Sequence, residues 1–209
     1  MTSSDTQTIR HLQGENIRLR SENSSLKNYV ERLQRALSAL VDLQKSIDAI
    51  TPETNVYLLI HQMLEAALIA VDSKNGSLLL LDEETGELVF VEVIGEAREK
   101  LLNYRLAKGQ GIAGWSVAKR QPRLVTNTKN EPEFSAMVDR YTGMETKSLI
   151  CIPLLDGERR LGAVEVVNTR TGRPLAEEDM DVLQLVGKLA SLAIIEAERA
   201  SQEAKQQSG

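Results

Sequence analysis

Cysteine occurs once in the 209 residues, at position 151, so no disulfide can staple the chain. A lone thiol fits a reducing compartment, and a cytoplasmic location is the expectation. Aromatic residues make up only 3% against 42% apolar residues overall, so the core has to be aliphatic. Long hydrophobic runs are missing as well. The greasiest stretch, residues 56–71, is interrupted by His61, Gln62 and Glu65, and the N-terminus has no apolar signal core. Neither a membrane span nor a secretory leader is expected. Positive charge is in deficit: 25 basic side chains face 30 acidic ones, with net charge −5 and a pI near 5.3. That balance argues against nucleic acid or an anionic membrane as a partner. Two histidines and one cysteine make no metal-spaced cluster, and neither a Walker phosphate loop nor a Ser–His–Asp set is found. Gly109-Gln110-Gly111 reads as a tight turn, because the third glycine and the preceding parallel unit of a dinucleotide fingerprint are lacking. The chain is expected not to be an enzyme, with no metal and no certain cofactor.

What the sequence has in abundance is a period of seven. Leu12, Leu19, Leu26, Leu33, Leu40 and Ile47 recur at that spacing, each preceded three residues earlier by Ile9, Asn16, Asn23, Val30, Leu37 or Gln44. The first set takes d and the second takes a in a coiled-coil seam. Asn at a costs stability, but it pairs with its counterpart in a parallel, in-register dimer. Glu15 at g would face Arg20 at the following e, and Glu22 would face Lys27, setting register more than strength. From residue 36 onward the flanking positions turn apolar (Ala36, Val41, Leu43), a widening that suits a four-helix bundle. No basic cluster precedes the seam, which argues against a DNA-binding zipper. A parallel homodimer through Leu12, Asn16, Leu19, Asn23, Leu26, Val30, Leu33, Leu37 and Leu40 is therefore expected. The alternative is a solitary amphipathic helix packed on its own domain.

Further along, Thr51-Pro52-Glu53-Thr54 carries breaker and helix-start chemistry, a Thr cap followed by Pro and an acid, ahead of a second helix reaching to about residue 73. The period then becomes strand-like. Residues 77–81 and 87–94 flank Gly86 as a β-hairpin, and residues 148–155 and 161–168 flank Asp156-Gly157 as another. Between them lie a short helix over 112–120, a short strand at 122–125, and a polar stretch over 127–143 with one turn of helix at 133–141. A connection of that length in a compact domain usually covers something. Pro174 and three acids (Glu177, Glu178, Asp179) open a last helix to about residue 205, apolar nearly all round from 182 to 195. The order of elements predicts an α+β domain with an antiparallel sheet and helices on one face.

Four runs in this order resemble a GAF domain: Gly76-Ser77-Leu78-Leu79-Leu80-Leu81-Asp82, Gly109-Gln110-Gly111-Ile112-Ala113-Gly114-Trp115, Ser148-Leu149-Ile150-Cys151-Ile152-Pro153-Leu154 and Leu161-Gly162-Ala163-Val164-Glu165-Val166-Val167-Asn168. The resemblance covers about residues 53–197. It implies a six-stranded antiparallel sheet, a pocket between sheet, short helix and long loop, and first and last helices that pack across a dimer. The expected organisation is a disordered tail over 1–8, a coiled-coil dimerisation helix over 9–50, a GAF domain over 51–200 and a C-terminal tail over 201–209.

The resemblance also bears on ligands. Cyclic-nucleotide GAF domains carry an N-K…F-x-x-x-D-E signature. The matching positions here are Asn168, Thr169, Leu175, Asp179 and Met180, so Asn and Asp are kept while Lys, Phe and Glu are not. Lys and Asp of that signature are thought to pair and brace the pocket, which leaves the brace in question. Asp139, Thr142 and Thr146 occupy the spacing of pocket-facing polar groups, although the same residues also suit loop caps. Ser77 and Glu165 are candidates from the sheet floor, and the amides opening the helix at Ile112 are candidates for a phosphate. Trp115 is a core, lid or stacking residue. Alternation alone does not decide whether Glu165 faces pocket or solvent. A bilin would need a cysteine in the loop region, haem a pocket histidine, and methionine sulfoxide reductase several cysteines; Cys151, His11 and His61 supply none of these. The expectation is a homodimeric regulatory protein that senses a small molecule, a cyclic nucleotide or another small planar metabolite, and signals to a protein partner. The competing expectation is an empty scaffold, its pocket filled by Met137, Met144 and Trp115.

Overall fold

A computed structural model describes residues 3–51 and 54–207. Helix α1 (Ser3–Asp48) is followed by α2 (Val56–Val71), strands β1 (Asn75–Leu81) and β2 (Leu88–Ile94), helix α3 (Arg98–Leu101) and strand β3 (Arg105–Leu106). Then come α4 (Gly111–Lys119), β4 (Arg123–Val125), a 3₁₀ turn (Thr128–Asn130), α5 (Met137–Thr142), β5 (Leu149–Asp156), β6 (Arg159–Val167) and α6 (Glu177–Gln207). All six strands form one antiparallel sheet in the order β3-β2-β1-β6-β5-β4.

The first helix begins at Ser3 rather than at residue 9, so residues 3–8, expected as a disordered tail, continue the helix instead. Nothing in those residues breaks a helix: none is Pro or Gly. The helix start before α2 also differs. Asn55, not Thr51, is the cap, its side-chain oxygen accepting the Leu58 N–H at 3.2 Å. Pro52 and Glu53 of the expected breaker lie outside the described residues, as do Met1, the last two residues and the side chains of Ala36 and Leu43. Helix α2 ends on Asp72 in the left-handed region (φ 56°), its N–H donating back to the last turn. Helix α3 and strand β3 carry no period in the sequence and were not expected.

Strand alternation divides the core in two. Leu78, Ile150, Ile152, Leu154, Val164 and Val166 point to one face and meet α2 and α6, with Met63, Leu64, Leu183 and Val186 among the fully buried residues. The three long helices gather on this face. The short ones, α3 and α4, cover the other, over Leu79, Phe90, Val93, Leu149, Cys151 and Ala163. A bulge between β1 and β2, where Leu78 pairs with Glu92 but Leu79 with Phe90, turns both Phe90 and Val93 onto this second face.

The heptad seam changes character along α1. Leu40 and Ile47 are buried against α2 and α6, and Leu33 is half-buried. Ile9, Leu12, Leu19, Leu26, Val30 and Leu37 are 39–63% exposed on the single chain. Asn16 and Asn23 are exposed beside them. Glu15 pairs within its own helix with Arg18 at 2.9 Å, and Arg18 also reaches Glu22 at 4.0 Å.

Candidate functional site

The second face of the sheet encloses a cavity. Its floor is a single rung across three strands: Ser77 on β1 pairs with Glu165 on β6, which pairs with Cys151 on β5. Alternation then places all three on the α4 face, opposite Val164 and Val166. Ser77 and Glu165 line the cavity together with Leu149 and Val167, while apolar walls come from Phe90, Val93, Leu101, Leu106 and Phe134. The cavity measures about 80 Å³. That is several times the room one water needs, and well below the ~300–1,000 Å³ of sites for drug-sized ligands.

Its roof is the start of α4, built by local rules. Gly109 and Gly111 both sit at positive φ (74° and 65°), which only glycine adopts without strain. A Cβ on Gly114 would fall 2.8 Å from Gly109 Cα, so the helix lies against its own leading turn. The turn fixes Gln110: its backbone N–H donates to Ala107 O at 2.9 Å, and its Oε1 accepts the Ala107 N–H at 3.1 Å. Its Nε2 is then buried with no acceptor. The first helical bond runs from Gly114 N–H to Gln110 O, so the amides of Gly111, Ile112 and Ala113 open the helix without an intrahelical acceptor.

Glu165 is the group most altered by its surroundings. Burial alone pushes its carboxyl up to about 7. Among the described residues no donor or cation bonds to it. Its neighbour Cys151 is fully buried, and burial first, with the nearby Glu165 charge second, holds the thiol well above its ordinary range. That thiol is inert.

The lid over the cavity is α5 with its flanks. Asp139 lines the cavity but is committed, its carboxylate accepting the Thr146 N–H at 2.8 Å and the Thr146 hydroxyl at 2.7 Å. Thr146 also borders the cavity. Thr142 does not; its hydroxyl donates to Val138 O at 2.9 Å and caps the helix. Lys100 on α3 donates to Thr142 O at 2.9 Å, and Tyr104 stacks on Tyr141 with centroids 5.1 Å apart. No residue of α5 is buried.

Of the seven residues expected at the site, Ser77, Ile112, Asp139, Thr146 and Glu165 border the cavity, and Trp115 and Thr142 do not. Trp115 is half-buried on the far side of α4, with the Arg123 guanidinium 4.8 Å from its ring centroid and Arg123 bonded to Glu131 at 2.7 Å. Met144 lines the cavity; Met137 is 40% exposed and, like Trp115, does not fill it. Gln110, Phe134 and Ser135 were not foreseen. The double-glycine turn marks the position of Gln110 in the sequence but not its open donor.

Away from the cavity lining, Asp179 of the expected signature has a different partner. Asp179 is buried and takes a bidentate pair from Arg173 at 2.6 and 2.8 Å, plus the Ala176 N–H at 3.0 Å. Arg173, not the residue at position 169, is thus the cation paired with Asp179. Asn168, at φ 53°, accepts the Lys147 and Ser148 amides and donates to Glu145 O at 2.9 Å, holding the end of the lid to β6.

A six-stranded antiparallel sheet, with long helices on one face and a cavity under short helices on the other, defines an α+β domain. The GAF domain family pattern matches residues 54–195, and the chain belongs to that family. A probable 3′,5′-cyclic phosphodiesterase of Caenorhabditis elegans is 26% identical over 184 residues, covering 83% of this chain and 25% of that protein. The nitrogen fixation protein VnfA of Azotobacter vinelandii is 26% identical over 122 residues, covering 57% and 23%. The chain thus spans a quarter or less of the length of these curated relatives. The GAF domain of a phosphoenolpyruvate-protein phosphotransferase from Coxiella burnetii shares the fold, with a TM-score of 0.68 at 18% identity over 81% of this chain and 98% of that one.

Proposed function

We propose that this protein is a homodimeric sensor whose cavity takes a small molecule and whose helices report its occupancy to a protein partner. The observation that carries the reading is a pair of open groups on the cavity lining: Glu165 on the floor has no partner among the described residues, Gln110 Nε2 at the roof is buried without an acceptor, and a bound molecule would supply both. An empty scaffold would gain nothing from keeping these groups unmade. Regulatory use agrees with the GAF relatives. The cyclic phosphodiesterase relative makes a cyclic nucleotide the first compound to offer, although the closed cavity favours something smaller.

The route outward is mechanical. Ligand contacts bias the lid over 127–143, and the sheet below shares its other face with α2 and α6, on which Leu40 and Ile47 of α1 rest. Homodimerisation is supported by the exposed seam between Ile9 and Leu37, a contiguous apolar stripe of the kind that marks an interface.

Native mass spectrometry of the full chain, with and without cyclic AMP, cyclic GMP and a panel of small metabolites, tests the reading. The expected result is a dimer that retains or gains one small mass per protomer. A dimer that takes up nothing would favour the scaffold, and a monomer of wild-type fold would overturn the dimer. Substituting Leu19 and Leu26 by Lys should give a folded protein with the dimer weakened at least tenfold.

A further inference from the structure

Charge in the cavity is one-sided. Asp139 and Glu165 are both among its lining residues, and no Lys, Arg or His stands beside them among the described lining residues. Asp139 is already held by two donors from Thr146. Glu165 has none among the described residues, although it sits half-buried on the floor between Ser77 and Cys151. An ionised carboxyl in that position is best satisfied by an N–H donor carrying positive charge, which supplies both the hydrogen bond and the countercharge. At the roof the balance is reversed: Gln110 Nε2 is a buried donor without an acceptor, and the amides of Gly111, Ile112 and Ala113 open the helix with no intrahelical acceptor. Between the two lie apolar walls from Phe90, Leu106 and Phe134.

We propose that the cavity recognises a compact nitrogenous cation, an amidinium- or ammonium-bearing molecule whose N–H groups bond Glu165 and whose other end offers an acceptor to Gln110 and the first turn of α4. The proposal rests on the reading of this cavity as the sensor's ligand site. It assigns Glu165 as the residue that decides specificity. A ligand bearing only a phosphate or carboxylate would meet two carboxyls and gain no basic side chain, with only the partial charge of one helix end in its favour. The raised titration of Glu165 adds a consequence. A cation binds the ionised form, so its affinity rises with pH until the carboxyl is fully ionised, and binding below that point releases a proton.

Benzamidine and benzoate, of like shape and opposite charge, test this on the full-length protein by calorimetry and by nuclear magnetic resonance of the cavity methyl groups. Benzamidine is expected to shift the signals of Ile112, Leu149 and Val167 and to bind at least tenfold tighter than benzoate. Its affinity should rise about tenfold from pH 6 to pH 8, as a carboxyl titrating near 7 requires. Glu165→Gln should abolish both the preference and the pH dependence. Equal or tighter binding of benzoate, or an unchanged preference in Glu165→Gln, would overturn the proposal. Should that variant not fold, the matched pair and the pH series on the wild type decide alone. If cyclic nucleotides move the cavity signals and benzamidine does not, the sensor reading stands and this inference falls. If no compound in either panel moves them, both fall.

Discussion

The two faces of the sheet are made by alternate residues of the same strands, yet they differ in almost every physical respect. On the α2–α6 face, Leu78, Val164 and Val166 are buried among aliphatic side chains of the helices, and Glu92 is a buried charge there, paired with Arg98. One residue over on each strand, Ser77 and Glu165 face a cavity with polar side chains, a carboxyl without a partner among the described residues, and the donor of Gln110 at its roof, Nε2, buried without an acceptor. The first face holds the fold together and carries the helices that leave the domain. The second forgoes stability by leaving groups unsatisfied, and that pattern marks where binding can be selected. A period of two lets a nine-residue strand such as β6 do both.

The comparison is broken most severely by a cavity on the stabilising face. Leu64 of α2 is fully buried against the sheet. Leu64→Ala should cost roughly 3–5 kcal/mol by urea denaturation. The ligand preference of the opposite face should persist as long as the protein is folded. A loss below about 1 kcal/mol would mean that the two faces are not divided as described.

On the cavity face the sign reverses. Glu165 titrates near 7 in the folded protein against 4.5 as its ordinary value, so folding takes up a proton between these limits. Its favourable protonated form is fully available below about pH 4.5, and stability falls as pH rises to about 7. Ionised and unpaired above that range, it costs on the order of 3 kcal/mol, the upper limit set by the shift. Glu165→Gln should therefore match wild type near pH 4.5 and be the more stable protein at pH 8. Chemical denaturation across that range measures the difference; parallel curves would show that the carboxyl is not desolvated.

Smaller than these two effects is that of the Arg173–Asp179 pair at the start of α6. Arg173→Ala strips a buried carboxylate of its bidentate partner but leaves it the Ala176 amide. A loss of about 1–2 kcal/mol is expected in urea at neutral pH. Arg173→Lys should recover part of it. Full stability in Arg173→Ala would show that the brace holds nothing.

What could be read beforehand follows from the same division. Long periodic segments were legible: the heptads of α1, the apolar faces of α2 and α6, and the two β-hairpins. Elements of two to four residues, such as α3 and β3, have no period to read, and their place is set by the bulge that turns Phe90 and Val93 together. The rung Ser77–Glu165–Cys151 needed the register of three strands, which no alternation within one strand supplies. Trp115 and Thr142 lie off the cavity lining for a related reason. Each lies within a few residues of the cavity in sequence, but Trp115 turns to the far side of α4 to meet Arg123, and Thr142 spends its hydroxyl on its own helix. Gln110 escaped notice because its significance is a donor left over after Ala107 has taken its oxygen, a fact of geometry rather than of residue type.

The smallest expected effect concerns the lid, where the two faces differ in how they are closed. The long helices seal one side with fully buried leucines, whereas α5 closes the other with no buried residue of its own. Its visible ties are the Tyr104–Tyr141 stack, the Lys100 bond to Thr142 O and the Asp139–Thr146 pair. Tyr141 is 49% exposed, so Tyr141→Ala should change global stability by less than about 1 kcal/mol. Local opening is another matter, because a segment held by few buried contacts opens far below the global free energy. Amide exchange over residues 131–147 should accelerate severalfold in Tyr141→Ala while β1, β5 and β6 stay protected. Adding a cavity ligand should slow it again, since the ligand and the stack close the same segment. If exchange in this segment already matches that of the sheet and does not respond to the substitution, the lid is as firmly shut as the other face, and a ligand would need a different way in.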